Sequence, residues 1–332
     1  KNTGEIVLNR PSSLNALNLE MALDFKNKLN EWKNDKKIKN VILKGNGKAF
    51  CAGGDIKSLY LSKKNSTLKE KFFFEEYKLN NIIKNFPKPY LSLWNGIVMG
   101  GGVGLSIYGN YRVATEKTKF AMPESGIGFF PDVGTSYVLS RIPYSLGLFI
   151  GLTGYVINYY ESYKIGLANF FIKEKNIIKI ENFFSKNNYL NDKIQDKIPK
   201  IKSELLSNKL LINKHFKNFN IEKIINSLKL DKSIFARKTL ETLLNRCPTS
   251  LAVTCEQFKR ARKISFEKCI EMDYHISQNM VYRKDFSNGV KEVLINKNSN
   301  KKWYPNSTLG ISKKIKKYFF LKNNKNFILL NN

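Results

Sequence analysis

The sequence predicts an α/β fold built from repeated strand–junction–helix units, on three observations. Short apolar runs that read as strands, GEIVLNR from Gly4 to Arg10, Val41–Leu43 and Tyr90–Trp94, alternate with longer stretches whose apolar residues recur at helical spacing. Two of these runs close on glycine-rich turns that open into a helix, one at Phe50–Asp55 and one at Gly100–Gly102. The composition is that of a packed globular chain, 42% hydrophobic and 13% aromatic over 332 residues, long enough for a sizeable core and roughly two domains. Similar units at Tyr111–Thr115 and Phe120–Met122 suit a β–β–α spiral, although the pattern alone does not separate it from a doubly wound sheet.

In chain order, the first strand ends at Pro11, and Asn15–Asn18 leads into a helix with Met21, Leu23, Phe25, Leu29 and Trp32 at its apolar positions. Asn18 is the expected N-cap, because its short side chain can accept from a free amide of the first turn. Lys69–Phe86 reads as a helix stopped by Pro87. Ser136–Gly154 and Tyr160–Phe171 read as helical segments closing the core. From Lys173 to about Lys238 the chain becomes rich in Lys, Asn and Ile, a variable helical insert. Helices follow at Leu251–Ala261 and Ser265–Met280, and the basic stretch from Lys313 to Asn332 is expected to be loosely held. The expected division is therefore residues 1–172, 173–245 and 246–332.

The formal charge of +30 invites a nucleic-acid reading through release of counterions from phosphates. The lysines are instead spread along the chain among asparagines, as on solvated faces, and no RNA-recognition motif or paired Cys/His spacing stands out. A basic surface also suits a small substrate carrying phosphates. The four cysteines, Cys51, Cys247, Cys255 and Cys269, form no CxxC pair, so they read as reduced thiols with no metal site, in a reducing compartment. His215 and His275 lie far in sequence from the glycine motifs and read as packing or surface residues, giving little support to a Ser-His-Asp arrangement. No apolar stretch reaches the ~20 residues of a membrane span, so a soluble chain is expected. The sequence starts at Lys1, so a targeting segment would lie upstream of it.

The chemistry concentrates in residues 90–132. A strand that turns through Gly100, Gly101 and Gly102 into a helix leaves amide groups without partners, and glycine lets a ligand atom approach them. Such a turn can hold an oxyanion. Glu124 after Pro123 and Asp132 after Pro131 are carboxylates on loops, where acid–base groups are commonly carried. On spacing alone, a tight crossover with two solvated carboxylates accounts for the same residues. Glu76 falls among Phe72, Phe73, Leu79, Ile82 and Ile83, and pattern alone places it on the surface of an amphipathic helix.

Taken together, FCAGGDI, FFFEEYKLNN, GIVMGGGVGLS and AMPESGIGFFPDVG resemble the crotonase (enoyl-CoA hydratase/isomerase) superfamily, and within it the 3-hydroxyisobutyryl-CoA hydrolases. The similarity runs from Gly4 to about Phe171 and resumes at Cys247–Ser250 and Met272–Trp303. The resemblance implies the β–β–α spiral with a C-terminal helical region that covers the active site or packs on a neighbouring subunit, which leaves a homo-oligomer open. It implies thioester hydrolysis of a short 3-hydroxyacyl-CoA, with the amides of Gly54 and Gly101 as the oxyanion hole. Glu124 would be nucleophile or general base, and Asp132 would bind the substrate hydroxyl or shuttle a proton. Glu76, Ala52 and Asp55 would contribute to substrate binding. Coenzyme A enters as part of the substrate, with no other cofactor, and the family's role in valine breakdown implies a mitochondrial location.

Hydratases of the superfamily carry a glutamate where this chain has Gly104 and a glycine where it has Asp132, so the resemblance favours hydrolase over hydratase or isomerase. Ser125 and Thr135-Ser136 depart from the residues usual in the hydrolases, and the acyl preference is not fixed by the sequence. Some crotonase-fold proteins bind RNA, which a chain of charge +30 keeps as the alternative from another class.

Overall fold

A computed structural model describes residues 2–63, 66–297 and 301–320. The strands are β1 (Thr3–Leu8), β2 (Asn40–Gly45), β3 (Ala49–Cys51), β4 (Tyr90–Trp94), β5 (Ile97–Met99), β6 (Tyr111–Ala114), β7 (Lys119–Ala121), β8 (Ile157–Asn158) and β9 (Phe170–Phe171). They form a five-stranded sheet in the order β1-β2-β4-β6-β9 and a four-stranded sheet in the order β3-β5-β7-β8. The chain lays β2 in one sheet and β3 in the other, then repeats the step with β4 and β5 and with β6 and β7. That is the expected crotonase-type spiral of β–β–α units.

The chain folds into two compact units, each discontinuous in sequence: residues 1–55, 75–120 and 156–203 form the first, and residues 56–74, 121–155 and 204–332 the second. These units cut across the segments drawn from composition. In the first unit, β1, β2, β4, β6 and β9 are parallel neighbours, and Tyr90–Trp94 is buried at every position. A parallel strand covered on both faces reads as a continuous apolar run, which is why Val41–Leu43 and Tyr90–Trp94 were visible in the sequence. Ile180 and Phe184, from the helix Ile177–Asn187, pack on Ile42, Leu91, Leu93, Val113 and Phe170 of the sheet. The start of the Lys/Asn-rich stretch thus covers a sheet face. The helix Leu19–Asn34 is capped by Asn18, whose Oδ1 accepts from the Met21 amide at 2.9 Å.

In the second unit, the wholly buried helix Leu146–Thr153 packs with Pro248–Ala261, which also packs with Phe266–Met280. Three expectations are corrected. Ser136–Gly154 is two helices, Thr135–Leu139 and Leu146–Thr153, because Pro143 starts a turn in which Tyr144 and Ser145 take positive φ. Tyr160–Phe171 is helical only over Tyr159–Lys164; Phe170 and Phe171 then pair with Val113 and Ala114 as β9. Residues expected to trail loosely from Lys313 instead belong to the helix Ile311–Phe319, which buries Ile311, Ile315 and Phe319 against Pro248–Ala261 and Phe266–Met280. Residues 321–332 lie outside the described residues. Among the described residues no helix is long and apolar enough to cross a membrane.

Candidate active site

The first unit supplies an amide pair. After β3, Gly54 forms a parallel bridge with Leu17: the Leu17 amide donates to Gly53 O at 2.8 Å, and the Asp55 amide donates to Leu17 O at 2.7 Å. In such a bridge the flanking residues make the bonds, so the N–H of Gly54 itself faces the other way. After β5, Gly100 (φ 48°, ψ −121°) sets up a short helical turn, Gly101–Gly104. As its first residue, Gly101 has no acceptor for its N–H within that turn. Gly54 N lies 3.1 Å from the point a β-carbon on Gly101 would occupy, and Glu76 Oε1 lies 2.5 Å from the same point. A side chain at residue 101 would crowd that carboxylate and the neighbouring amide. The structure thus brings Gly54, Gly101 and Glu76 together.

Glu76 is only 2% exposed, so its expected surface position is corrected. It sits in the helix Leu68–Lys84 with its carboxylate turned to the glycine loop, and helical spacing could not distinguish that from a solvated face. Burial pushes the Cys51 thiol up to about 12, with the charge of Glu76 adding to it, which leaves that thiol inert as a nucleophile. Ala52 donates its amide to Leu14 O at 3.0 Å, and Asp55 accepts from Arg10 Nη2 at 3.0 Å. Sequence reasoning missed two supports of this loop. Arg10 Nη1 also donates to Ala16 O at 2.6 Å, and buried Asn15 donates from Nδ2 to both Asn46 O and Ala49 O at 2.8 Å.

The second unit carries Glu124 and Asp132, the two loop carboxylates singled out in the sequence. Glu124 opens the 3-10 turn Glu124–Ile127, which Gly128 ends at φ 75°, and the Phe129 amide closes back on Glu124 O at 3.0 Å. Ser125 Oγ anchors the turn on Leu152 O, and the Cys247 amide donates to Ser125 O. Glu124 is buried, and its Oε2 has no hydrogen-bond partner among the described residues. Burial raises its carboxyl well above the ordinary range, and the charge of Asp132 raises it further. Asp132 is itself buried, in a loop whose next residue, Val133, takes φ 52°. An acid whose ionisation is opposed by burial and by a neighbouring charge keeps its proton to higher pH than usual, a perturbation common among catalytic acids and bases.

His215 is buried with Nδ1 at 2.7 Å from Ser227 Oγ and Nε2 at 3.1 Å from Asp231 Oδ2. Asp231 also pairs with Lys214 and accepts from the Ser233 amide, so the group ties the helices Lys209–Phe216, Ile221–Leu230 and Ile234–Leu244 together. The four cysteines are free and buried. Among the described residues, no group of three or more His, Cys, Asp or Glu could hold a metal ion.

The profile of the family described as Enoyl-CoA hydratase/isomerase matches residues 3–320. The chain is 42% identical over 331 residues to the 3-hydroxyisobutyryl-CoA hydrolase, mitochondrial, of Danio rerio, covering 93% of this chain and 84% of that protein. With the Homo sapiens protein of the same name it shares 40% over 316 residues, covering 91% and 82%. A crystal structure of a carnitinyl-CoA dehydratase from Mycobacterium thermoresistibile superposes with a TM-score of 0.92 at 32% identity, covering 100% of this chain and 97% of that one. The chain belongs to the enoyl-CoA hydratase/isomerase family, and within that family it groups with the 3-hydroxyisobutyryl-CoA hydrolases.

Proposed function

We propose that this protein hydrolyses a short-chain 3-hydroxyacyl-CoA thioester, foremost 3-hydroxyisobutyryl-CoA, to the 3-hydroxy acid and free coenzyme A. The observation that carries the reading is the identity of about 40% to hydrolases of that name over more than nine-tenths of the chain. In this reaction the N–H groups of Gly54 and Gly101 receive the negative charge that develops on the thioester oxygen, each such donor being worth on the order of 10²–10³ in rate. Glu124 either attacks the carbonyl carbon or takes the proton of the attacking water. Asp132 holds the substrate hydroxyl or passes a proton to the departing thiolate. The carbon–sulfur bond breaks, one water is consumed, and an acid and a thiol leave. Glu76, Ala52 and Asp55 act in substrate binding. The mitochondrial location carried in the relatives' names is proposed for this chain as well.

Because Glu124 must be ionised to act, its raised carboxyl puts the acid limb of kcat/KM above the ordinary carboxylate range. The name of the structural neighbour, a dehydratase, favours a second reading, C=C hydration or dehydration. Gly104 counts against it, because it stands where hydratases of the superfamily carry one of their two carboxylates. The test is a panel of acyl-CoA and enoyl-CoA thioesters scored by kcat/KM, with free thiol as the readout. Thiol release from 3-hydroxyisobutyryl-CoA is expected to lead the panel and to fall by about 10²- to 10⁴-fold in Glu124→Gln. Enoyl-CoA hydration without thiol release would install the second reading. Wild type and variant equally inert, with RNA binding that weakens steeply in salt, would replace both.

A further inference from the structure

We propose that Asp273 and Gln257 form a clamp that positions Asp132 for the reaction; the inference rests on the hydrolase reading of this site. Gln257 stands on the helix Pro248–Ala261 and Asp273 on Phe266–Met280, and both side chains are fully buried. Gln257 Nε2 donates one hydrogen to Pro131 O at 2.8 Å and the other to Asp273 Oδ1 at 2.7 Å. The Gly134 amide donates to Asp273 Oδ2 at 2.8 Å. The main chain is therefore gripped at residue 131 and at residue 134, the two sides of Asp132.

The loop between those grips would not keep its shape unaided. Val133 is β-branched and takes φ 52°, and Gly134 follows at φ 73°. A branched residue in the left-handed region persists only where its surroundings over-determine it. Asp132 O accepts from the Thr135 amide at 3.0 Å and from Thr135 Oγ1 at 2.7 Å, which fixes the next residues but not the approach from Pro131. Burying Asp273 is costly, and two N–H donors offset that only in part. Burial raises its carboxyl well above the ordinary range, with the charge of Asp132 adding to the effect against the two donors. Cys269, one turn earlier on the same helix, feels the charge of Asp273. An apolar pair would fill this space at less cost. The polar pair is explained by what it holds.

Asp273→Asn replaces one acceptor oxygen with a donor, so the side chain cannot accept from both Gly134 and Gln257. Gln257→Met keeps the shape and removes both donated bonds. In each variant kcat is expected to fall about 10- to 100-fold, because a displacement of about 1 Å in a reacting group costs that much. KM for the thioester should stay within about threefold, the pattern of an interaction that acts on the reacting groups rather than on binding. The double variant should be no worse than the more damaging single one, since both break the same clamp. Unchanged kcat with only a lowered Tm, or losses that multiply in the double variant, overturns the proposal. Should Asp273→Asn fail to fold, Gln257→Met decides alone. Hydrogen exchange of the Gly134 amide, which should quicken in Asp273→Asn, is read without substrate. It judges the clamp even if the protein turns over no thioester, an outcome that would remove the hydrolase reading instead.

Discussion

In the role proposed for it, Glu124 would carry a conflict between stability and chemistry at a single residue. Its carboxyl is raised by burial and by Asp132, so the folded state holds its proton more tightly than the unfolded state does. Below the ordinary carboxyl value of about 4.5 both states are protonated, and the residue has no pH-dependent effect on stability. As pH rises from there toward the raised folded value, the unfolded state ionises first and gains, so the native state loses stability progressively. Glu124→Gln is therefore expected to be inactive yet more stable than wild type at neutral pH. The difference in Tm should vanish near pH 4 and widen upward, a profile that thermal melts at several pH values would check. A Tm difference independent of pH would mean that Glu124 is ionised in the folded protein as readily as in the unfolded chain. Glu124 and Asp132 were legible in the sequence because each follows a proline in a glycine-rich run. Burial of Glu76 was not legible, since the spacing of Phe72, Phe73, Leu79 and Ile83 fits a helix with or without a cover over its polar edge. Asp273 left a trace that could have been read. It lies with Cys269 and Ser277 at i, i+4 and i+8 on the buried face of its helix, a polar group where apolar ones belong.

At the scale of elements, the glycine junction after β3 depends on a turn far from it in sequence. Asn15, at φ 57°, lies in the left-handed region that asparagine tolerates. Its Nδ2 bonds Asn46 O and Ala49 O, while its Oδ1 accepts from the Arg10 amide, all at 2.8 Å. One side chain thus fastens the end of β1 to the strand that leads into Gly54. Asn15→Ala leaves two carbonyls and an amide without this partner and should destabilise the protein by about 1–3 kcal/mol, measured as a lower urea midpoint at unchanged m. If the midpoint stays put, water replaces the side chain and the staple contributes nothing. The strands β2 and β4 were readable as apolar runs because both faces of a parallel sheet are buried. β9 was not, because two residues, Phe170 and Phe171, carry no period. The helix Ile311–Phe319 was obscured by its composition: Ile311, Ile315 and Phe319 repeat every four residues, but four lysines between them suggested a solvated tail.

For the whole molecule, the charge of +30 is the one property that sequence stated outright and structure does not locate at any single feature. Both classes of partner weighed for it, nucleic acid and acyl-CoA, carry phosphates, and both are attracted by the same field. They differ in how the attraction enters a measurement. At 0.1 M salt, exposed charges more than about 10 Å apart are largely screened from each other, so added salt weakens the capture of a coenzyme A moiety but not the cleavage of a bond already held. For the hydrolase, KM for the thioester should therefore rise several-fold, on the order of three- to tenfold, between about 50 and 300 mM NaCl while kcat stays level. The check is a pair of saturation curves at the two salt concentrations with a small acyl thioester lacking the nucleotide as control, whose KM should not move. A flat KM for the full thioester would show that the lysines serve only as a solvated coat. A kcat that fell with salt would place charged groups in the chemical step itself, against the proposed reaction, in which salt acts only on capture of the substrate.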